Sequence, residues 1–211
     1  MKPILFNGPM VRAILTGQKT QTRRAMKPQP PERGHNGGKL LRVVPSTLAN
    51  FGDLFDAQYD MDNPWAIQCP LGRPGDRLWV RESAYIAPPG FAAPDVGSAV
   101  DEQGRRRVVG YAASMDAESV RCAGDYGVKC TPSIHMPRWA SRITLEVTDV
   151  RVQRLDAITE EEAIAEGVEA RGSGTMAHHA ALRLLWCEIY GHASWDANPF
   201  VWAVTFRRVM P

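Results

Sequence analysis

Hydrophobic and polar positions alternate with two different periods along this chain, and the changes of period mark its predicted elements. Pro3–Phe6 reads as a first strand. Pro9 then opens a short helix that turns Met10, Val11, Ile14 and Leu15 to one side and stops at Gly17, a residue that tolerates a left-handed cap. Residues 28–38, Pro-Gln-Pro-Pro-Glu-Arg-Gly-His-Asn-Gly-Gly, hold too much proline and glycine for regular structure; they read as a loop leading to a short strand at Leu40–Val44. Gly72–Asp76 is a turn feeding a strand at Arg77–Glu82, in which Leu78 and Val80 alternate with Trp79 and Arg81. Residues 87–104 are rich in Pro, Gly and Ala without periodicity and read as an insertion or lid.

The C-terminal half is more regular. Ile143, Leu145 and Val147 share one parity and Val150 and Val152 the other, so a bulge or bend is expected at Thr148-Asp149. Thr159 and Glu162 have the spacing of a capping box, which predicts a helix running to Gly167. A longer helix is expected over Met176–Tyr190, with Ala180, Leu184, Trp186, Cys187 and Ile189 buried. The last strand, Phe200–Phe206, is expected to place Phe200, Trp202, Val204 and Phe206 on one face. Several strands, few helices and a bent strand predict an α+β, mainly β class: a small antiparallel barrel with helices packed on its openings. One domain over residues 1–211 is expected, with insertions at about 27–74 and 83–135.

Charge changes the picture more than composition does. The first fifty residues hold nine basic side chains against the single acid Glu32, whereas the remainder carries more acid than base. That asymmetry suits a surface that meets phosphate, although charges spread around a fold would give the same count. No apolar stretch approaches the roughly 20 residues that span a bilayer. The N-terminus lacks the long apolar run and small-residue site of a signal peptide, and Cys69, Cys122, Cys130 and Cys187 are scattered as reduced thiols would be. A cytoplasmic location and no membrane partner are expected. Cys122, Cys130 and His135 fit none of the usual zinc spacings, so neither a metal nor a cofactor is expected.

The chemistry concentrates in Gly17-Gln-Lys-Thr-Gln-Thr-Arg-Arg24. Lys19, Thr20, Thr22 and Arg24 put an amine, two hydroxyls and a guanidinium into one segment; in an extended chain Thr20, Thr22 and Arg24 share a face. A solvated basic turn would look the same. Gly-x-Lys-Thr resembles the tail of a phosphate-binding P-loop, but the upstream glycines are missing. Glu160, Glu161 and Glu162 occupy the first turn of their helix, where negative charge is favoured, whereas Glu166 falls in the last turn, where it is disfavoured by roughly 0.3–1 kcal/mol. A carboxylate so placed is easier to protonate and suits proton transfer; an exposed glutamate tolerating a small penalty is the plainer reading. Tyr59, Trp65, Trp79 and Trp139 are candidate base platforms, and Arg105-Arg106-Arg107 a candidate phosphate contact.

Gly17-x-Lys19-Thr20-x-Thr22-x-Arg24 after a short helix resembles the signature loop of ASCH domains, members of the PUA-like superfamily of small β-barrels. The resemblance continues through Gly75-Asp76-x-Leu78, the strand Ile143–Val152, Leu155-Asp156-x-Ile158-Thr159, the helix holding Glu166 and the strand Val201–Phe206. Pro132–Arg142 and Ser194–Pro199 resemble the larger ASCH proteins of tailed phages and prophages. The resemblance implies a cleft that binds RNA, a nucleotide or a nucleoside beside the lysine loop. One bacterial branch of the family is an amidohydrolase that deacetylates N(4)-acetylcytidine, and another member is described as a ribonuclease. The amidohydrolase's catalytic lysine, threonine and glutamate fall on Lys19, Thr22 and Glu166, with Gly17, Thr20, Arg23, Arg24, Arg81, His135 and Arg138 as candidate ligand-binding residues. A non-catalytic reader of RNA or a modified base, and a phage accessory or assembly factor, are the other readings left open.

Overall fold

A computed structural model describes residues 1–30, 68–87, 92–93, 97–98, 107–170 and 177–209. The strand expected at Leu40–Val44, the loop at 31–38, the candidates Tyr59, Trp65, Arg105 and Arg106, and most of the irregular stretch 87–104 lie outside these residues. In chain order the elements are β1 (Lys2–Leu5), α1 (Gly8–Leu15), β2 (Gln21–Ala25), β3 (Arg77–Arg81), β4 (Ala84–Ile86), β5 (Ala92–Ala93), β6 (Gly97–Ser98) and β7 (Val108–Tyr111). There follow α2 (Ala117–Asp125), β8 (Cys130–Thr131), β9 (Thr144–Arg154), α3 (Glu160–Ala165), α4 (Ala177–Tyr190), α5 (His192–Asp196) and β10 (Phe200–Val209).

The chain divides into two compact units: residues 1–16, 78–145 and 208–211 in the first, 17–77 and 146–207 in the second. In the first unit β1 runs parallel to β3, with Lys2 opposite Leu78 and Leu5 opposite Arg81. β4 lies between β7 and β8, antiparallel to both, and β5 pairs with β6. α1 forms as its sequence requires: Asn7 Oδ1 accepts the Met10 N–H at 3.0 Å, Pro9 sits in the first turn, and Val11, Ala13 and Ile14 are buried.

In the second unit β10 lies between β9 and β2. β2 and β10 are antiparallel, with Thr22 opposite Val204 and Arg24 opposite Trp202. The expected parity change in β9 is present: Leu145 and Val147 are buried, Thr148 and Asp149 are exposed, and burial resumes at Val150. The capping box is also present, with Thr159 Oγ1 accepting from Glu162 N and the Glu162 side chain accepting from Thr159 N. Leu155, Trp186 and Val201 form one apolar cluster, and Ile158, Ala163 and Leu182 another.

Trp202, Val204 and Phe206 share a buried face of β10, and Val201 and Ala203 of the other parity are buried too, so the strand is covered on both faces. One expectation is corrected. α4 buries Ala181, Leu182, Trp186 and Cys187, while Ala180, Leu184 and Ile189 are exposed. Apolar residues run nearly all round that helix, so spacing alone does not select the face; the contacts of Leu182 and Trp186 with the two clusters do. One strand pair, β1–β3, is parallel. The described strands and helices give a mixed α+β architecture, and among the described residues the pairings close no sheet into a barrel.

Trp202 is 2% exposed in the doubly covered strand. Trp202→Ala is expected to lose about 3–5 kcal/mol in urea unfolding, against less than about 0.5 kcal/mol for Leu184→Ala on the exposed face of α4.

Candidate functional site

Gly17 takes φ +79°, where any side chain would be strained, and turns the chain into the Lys19–Ala25 segment of the second unit. Lys19 and Thr20 lie between β10 and the C-terminal end of α3. Phe206 N–H donates to Thr20 O, and Thr20 N–H donates to Ala165 O, both at 2.8 Å. Carbonyls in the last turn of a helix have no partner within it, and here the neighbouring chain supplies the donors. Lys19 forms a one-residue antiparallel bridge with Glu166. Its Nζ donates to the Glu166 carbonyl at 2.7 Å and to Glu166 Oε2 at 2.8 Å.

Strand alternation puts Gln21 and Arg23 on the side of Lys19. Arg23 Nη1 donates to Glu166 Oε1 at 3.0 Å and to Gln21 Oε1 at 2.7 Å, while Nη2 donates to Glu162 Oε2 at 2.7 Å. Gln21 Nε2 in turn donates to Thr205 Oγ1 at 3.1 Å. Glu162 and Glu166 are four residues apart and share a face of α3. One guanidinium therefore ties the helix to β2 at both of its ends. Glu162 also accepts from Gln153 Nε2 at 3.2 Å and Arg151 Nη2 at 2.9 Å.

The Glu166 carboxylate stands at the C-cap of α3, where negative charge is disfavoured, but it is not the exposed glutamate of the plainer reading. It is 5% exposed and lies between Lys19, 2% exposed, and Arg23, 3% exposed. Two cations offset both the helix terminus and the loss of water. Burial lowers the pKa of Lys19 below the ordinary value of 10.5; the Glu166 charge and hydrogen bond pull it back up in part, and Arg24 and Arg23 add to the lowering. Burial pushes Glu162 up, but the Gln153 hydrogen bond, the Arg23 charge, the Thr159 N–H and the Arg151 charge outweigh it, leaving Glu162 below the usual carboxylate value. A lysine eased toward its neutral form, held 2.8 Å from a carboxylate, can exchange a proton with it.

Thr22 and Arg24 have the other strand parity. Thr22 is buried, and Arg24 Nη1 donates to its Oγ1 at 3.3 Å and to Arg23 O at 3.1 Å. Of the three residues expected to act together, Lys19 and Glu166 thus touch directly, and Thr22 accompanies Arg24. Thr20 contributes its backbone, with its side chain exposed. Arg23, expected at the ligand, is a buried clamp on Glu162, Glu166 and Gln21. Arg81, His135 and Arg138 lie in the first unit. Trp79 is buried and Trp139 exposed. Among the described residues no three His, Cys, Asp or Glu side chains gather as metal ligands.

Sequence reasoning missed Gln21, Gln153, Thr205 and the second task of Glu162. The signal was present for two of them: 19, 21 and 23 share a strand parity, and 162 and 166 a helix face. For Gln153 and Thr205 nothing local announces the partner.

No protein-family model and no curated protein matches the sequence. The crystal structure of protein EF3133 from Enterococcus faecalis V583, described as DUF984, is similar over 99% of this chain and 81% of that one, at 11% identity and a TM-score of 0.39. A likeness that distant carries neither fold nor chemistry.

Removing one partner of a buried ion pair strands the other, at a cost on the order of 3–5 kcal/mol. Glu166→Gln takes the shared carboxylate from both Lys19 and Arg23, leaving Arg23 only Glu162 as its acid, whereas Lys19→Met leaves Glu166 with Arg23; urea unfolding should show the larger loss for Glu166→Gln. The Lys19 shift also sets a pH dependence. Between its lowered folded value and 10.5 the unfolded chain binds more protons than the folded one, so this group's contribution to stability rises with pH across that window. Lys19→Met should flatten the rise relative to the unsubstituted protein, measured from neutral pH to about pH 10.

Proposed function

We propose that this chain is an ASCH-type protein of the PUA-like barrel superfamily that hydrolyses the amide of an acylated nucleobase, with N(4)-acetylcytidine as the model substrate. The observation that carries the reading is the buried Lys19–Glu166 pair, 2.8 Å apart; Thr22, three residues after Lys19 and of the other strand parity, is buried with its hydroxyl accepting from Arg24. The order of the motifs from Gly17 to Phe206 supports the family. The excess of basic residues in the first fifty supports a phosphate-bearing or nucleoside ligand, and a cytoplasmic setting belongs to the same reading. Among the described residues no helix is long and apolar enough to cross a membrane.

The chemistry divides among these groups. In this reading Thr22 Oγ1 adds to the acetyl carbon and its proton passes to Lys19 as the free amine, a step that needs the two groups, of opposite strand parity at rest, to meet across the bound substrate. Arg24, which donates to that oxygen, favours its anionic form. Collapse of the tetrahedral adduct breaks the carbon–nitrogen bond, and the exocyclic nitrogen of cytosine leaves with the proton returned from Lys19 through Glu166. Water then attacks the Thr22 ester and gives its proton to the same pair, releasing acetate and restoring the hydroxyl. Arg23 keeps Glu166 oriented toward Lys19 throughout.

Purified protein mixed with N(4)-acetylcytidine should produce cytidine, followed by the ultraviolet change on deacetylation. Lys19→Ala and Thr22→Ala should each lower the rate at least about a hundredfold. Full activity in Thr22→Ala would remove threonine as the nucleophile. Absence of turnover at high protein concentration would overturn the enzyme reading and leave a non-catalytic reader of nucleotides or RNA.

A further inference from the structure

The ion pairs around Glu166 continue past Arg23 to the surface of the second unit. β9 carries Asp149, Arg151 and Gln153 at alternate positions, and Glu162 meets the last two. The charged groups form a series of alternating sign. Lys19 Nζ lies 2.8 Å from Glu166, Glu166 3.0 Å from Arg23, and Arg23 2.7 Å from Glu162. Arg151 Nη2 then meets Glu162 Oε1 at 2.9 Å, while its Nε meets Asp149 at 3.0 Å. Side-chain exposure rises from 1% at Lys19 to 16% at Glu162 and 45% at Arg151.

Two of these groups are shared, and sharing lets one end of the series act on the other. Arg23 stands between two carboxylates, with the shorter bond to Glu162 and the longer to Glu166. Glu162 stands between two guanidinium groups, Arg23 at one oxygen and Arg151 at the other. Without Arg151, Glu162 keeps a single cation and draws Arg23 toward it. Arg23 then holds Glu166 less, and the released carboxylate favours the charged form of Lys19. After burial, the charges that act directly on Lys19 are those of Glu166, Arg24 and Arg23. Arg151 stands beyond Glu166, Arg23 and Glu162 in the series, so its influence passes through the shared groups.

We infer that Arg151 is a positioning residue for the Lys19–Glu166 pair, acting from the surface through Glu162 and Arg23. The inference rests on the acid–base reading of that pair and adds to it a group that touches neither Lys19 nor Glu166. An ordinary surface ion pair would leave the Lys19 proton where it is. Salt separates the two cases as well. Dissolved ions screen charges that meet through water, but they reach the buried bonds from Glu162 inward much less. In the proposed hydrolysis Arg151 thereby sets how much of Lys19 stands as the free amine at a given pH.

The test is an NMR titration of the Lys19 side chain in the substrate-free protein and its variants. Arg151→Gln should raise the Lys19 midpoint. Glu162→Gln, which still suits a capping box, should lower it, because Arg23 is then left to Glu166. Arg183→Gln, at an exposed arginine of α4 that lies over Trp195, should leave it unchanged. In an Arg23→Gln background the link is cut, and Arg151→Gln should no longer move Lys19. With N(4)-acetylcytidine, the acid limb of the rate profile should move to higher pH in Arg151→Gln, in step with the titration. A midpoint that Arg151→Gln leaves in place overturns the inference. So does a shift that survives in the Arg23→Gln background and fades with added salt, which would be attraction through water alone. Since the titration needs no substrate, a protein inactive on acetylcytidine can show this response and an active one can lack it.

Discussion

A carboxylate at the end of a helix, buried and held by two cations, is the constraint on which the second unit's polar centre depends. Glu166 could not stay charged there alone, because the helix terminus and the lack of water both oppose it. Lys19 and Arg23 offset those costs, and each needs the carboxylate in return. Much of the local geometry follows from that mutual need. Thr20 gives its N–H to the helix end, Lys19 gives its ammonium to the next carbonyl, and Arg23 reaches along the helix to Glu162. The capping box at one end of α3 and the ion pair at the other share a single guanidinium.

This economy makes the site stiff. Arg23 is occupied by three acceptors, and Gln21 is fixed in turn by Thr205. The proton between Lys19 and Glu166 is less firmly committed, because burial and two nearby arginines both weaken the hold of Lys19 on it. The proposed acid–base chemistry rests on these partners around the Lys19 amine, and the Glu82–Arg142 pair of the first unit has no lysine of that kind. There the arginine also bonds Ser114 and lies over the Tyr111 ring.

Local signals in the sequence carried the helix boundaries well. Pro9 and Gly17 delimit α1, and Thr159 with Glu162 opens α3, because caps act through residues three or four apart; the Asn7 cap was not read. The parity change in β9 was legible for the same reason. Faces were harder. α4 is apolar nearly all round, and β10 is covered on both sides, so period alone could not say what each buries. Lys19 and Glu166 were both legible as functional candidates, one from its polar loop and one from its misplaced charge. Their contact was not, since it joins residues 147 positions apart through a backbone bridge. Arg23 read as a ligand contact because a basic residue in a polar loop shows its charge but not its partners.

The central claim is that Lys19 holds its proton less firmly than an ordinary lysine while still bonded to Glu166. An NMR titration of the Lys19 side-chain carbon beside Nζ tests this directly, with the exposed lysines of the same chain as internal references. The account predicts a Lys19 midpoint below theirs, rising when Arg23→Gln removes one of the nearby charges. A Lys19 signal that titrates together with the exposed lysines, and does not move in Arg23→Gln, would contradict it.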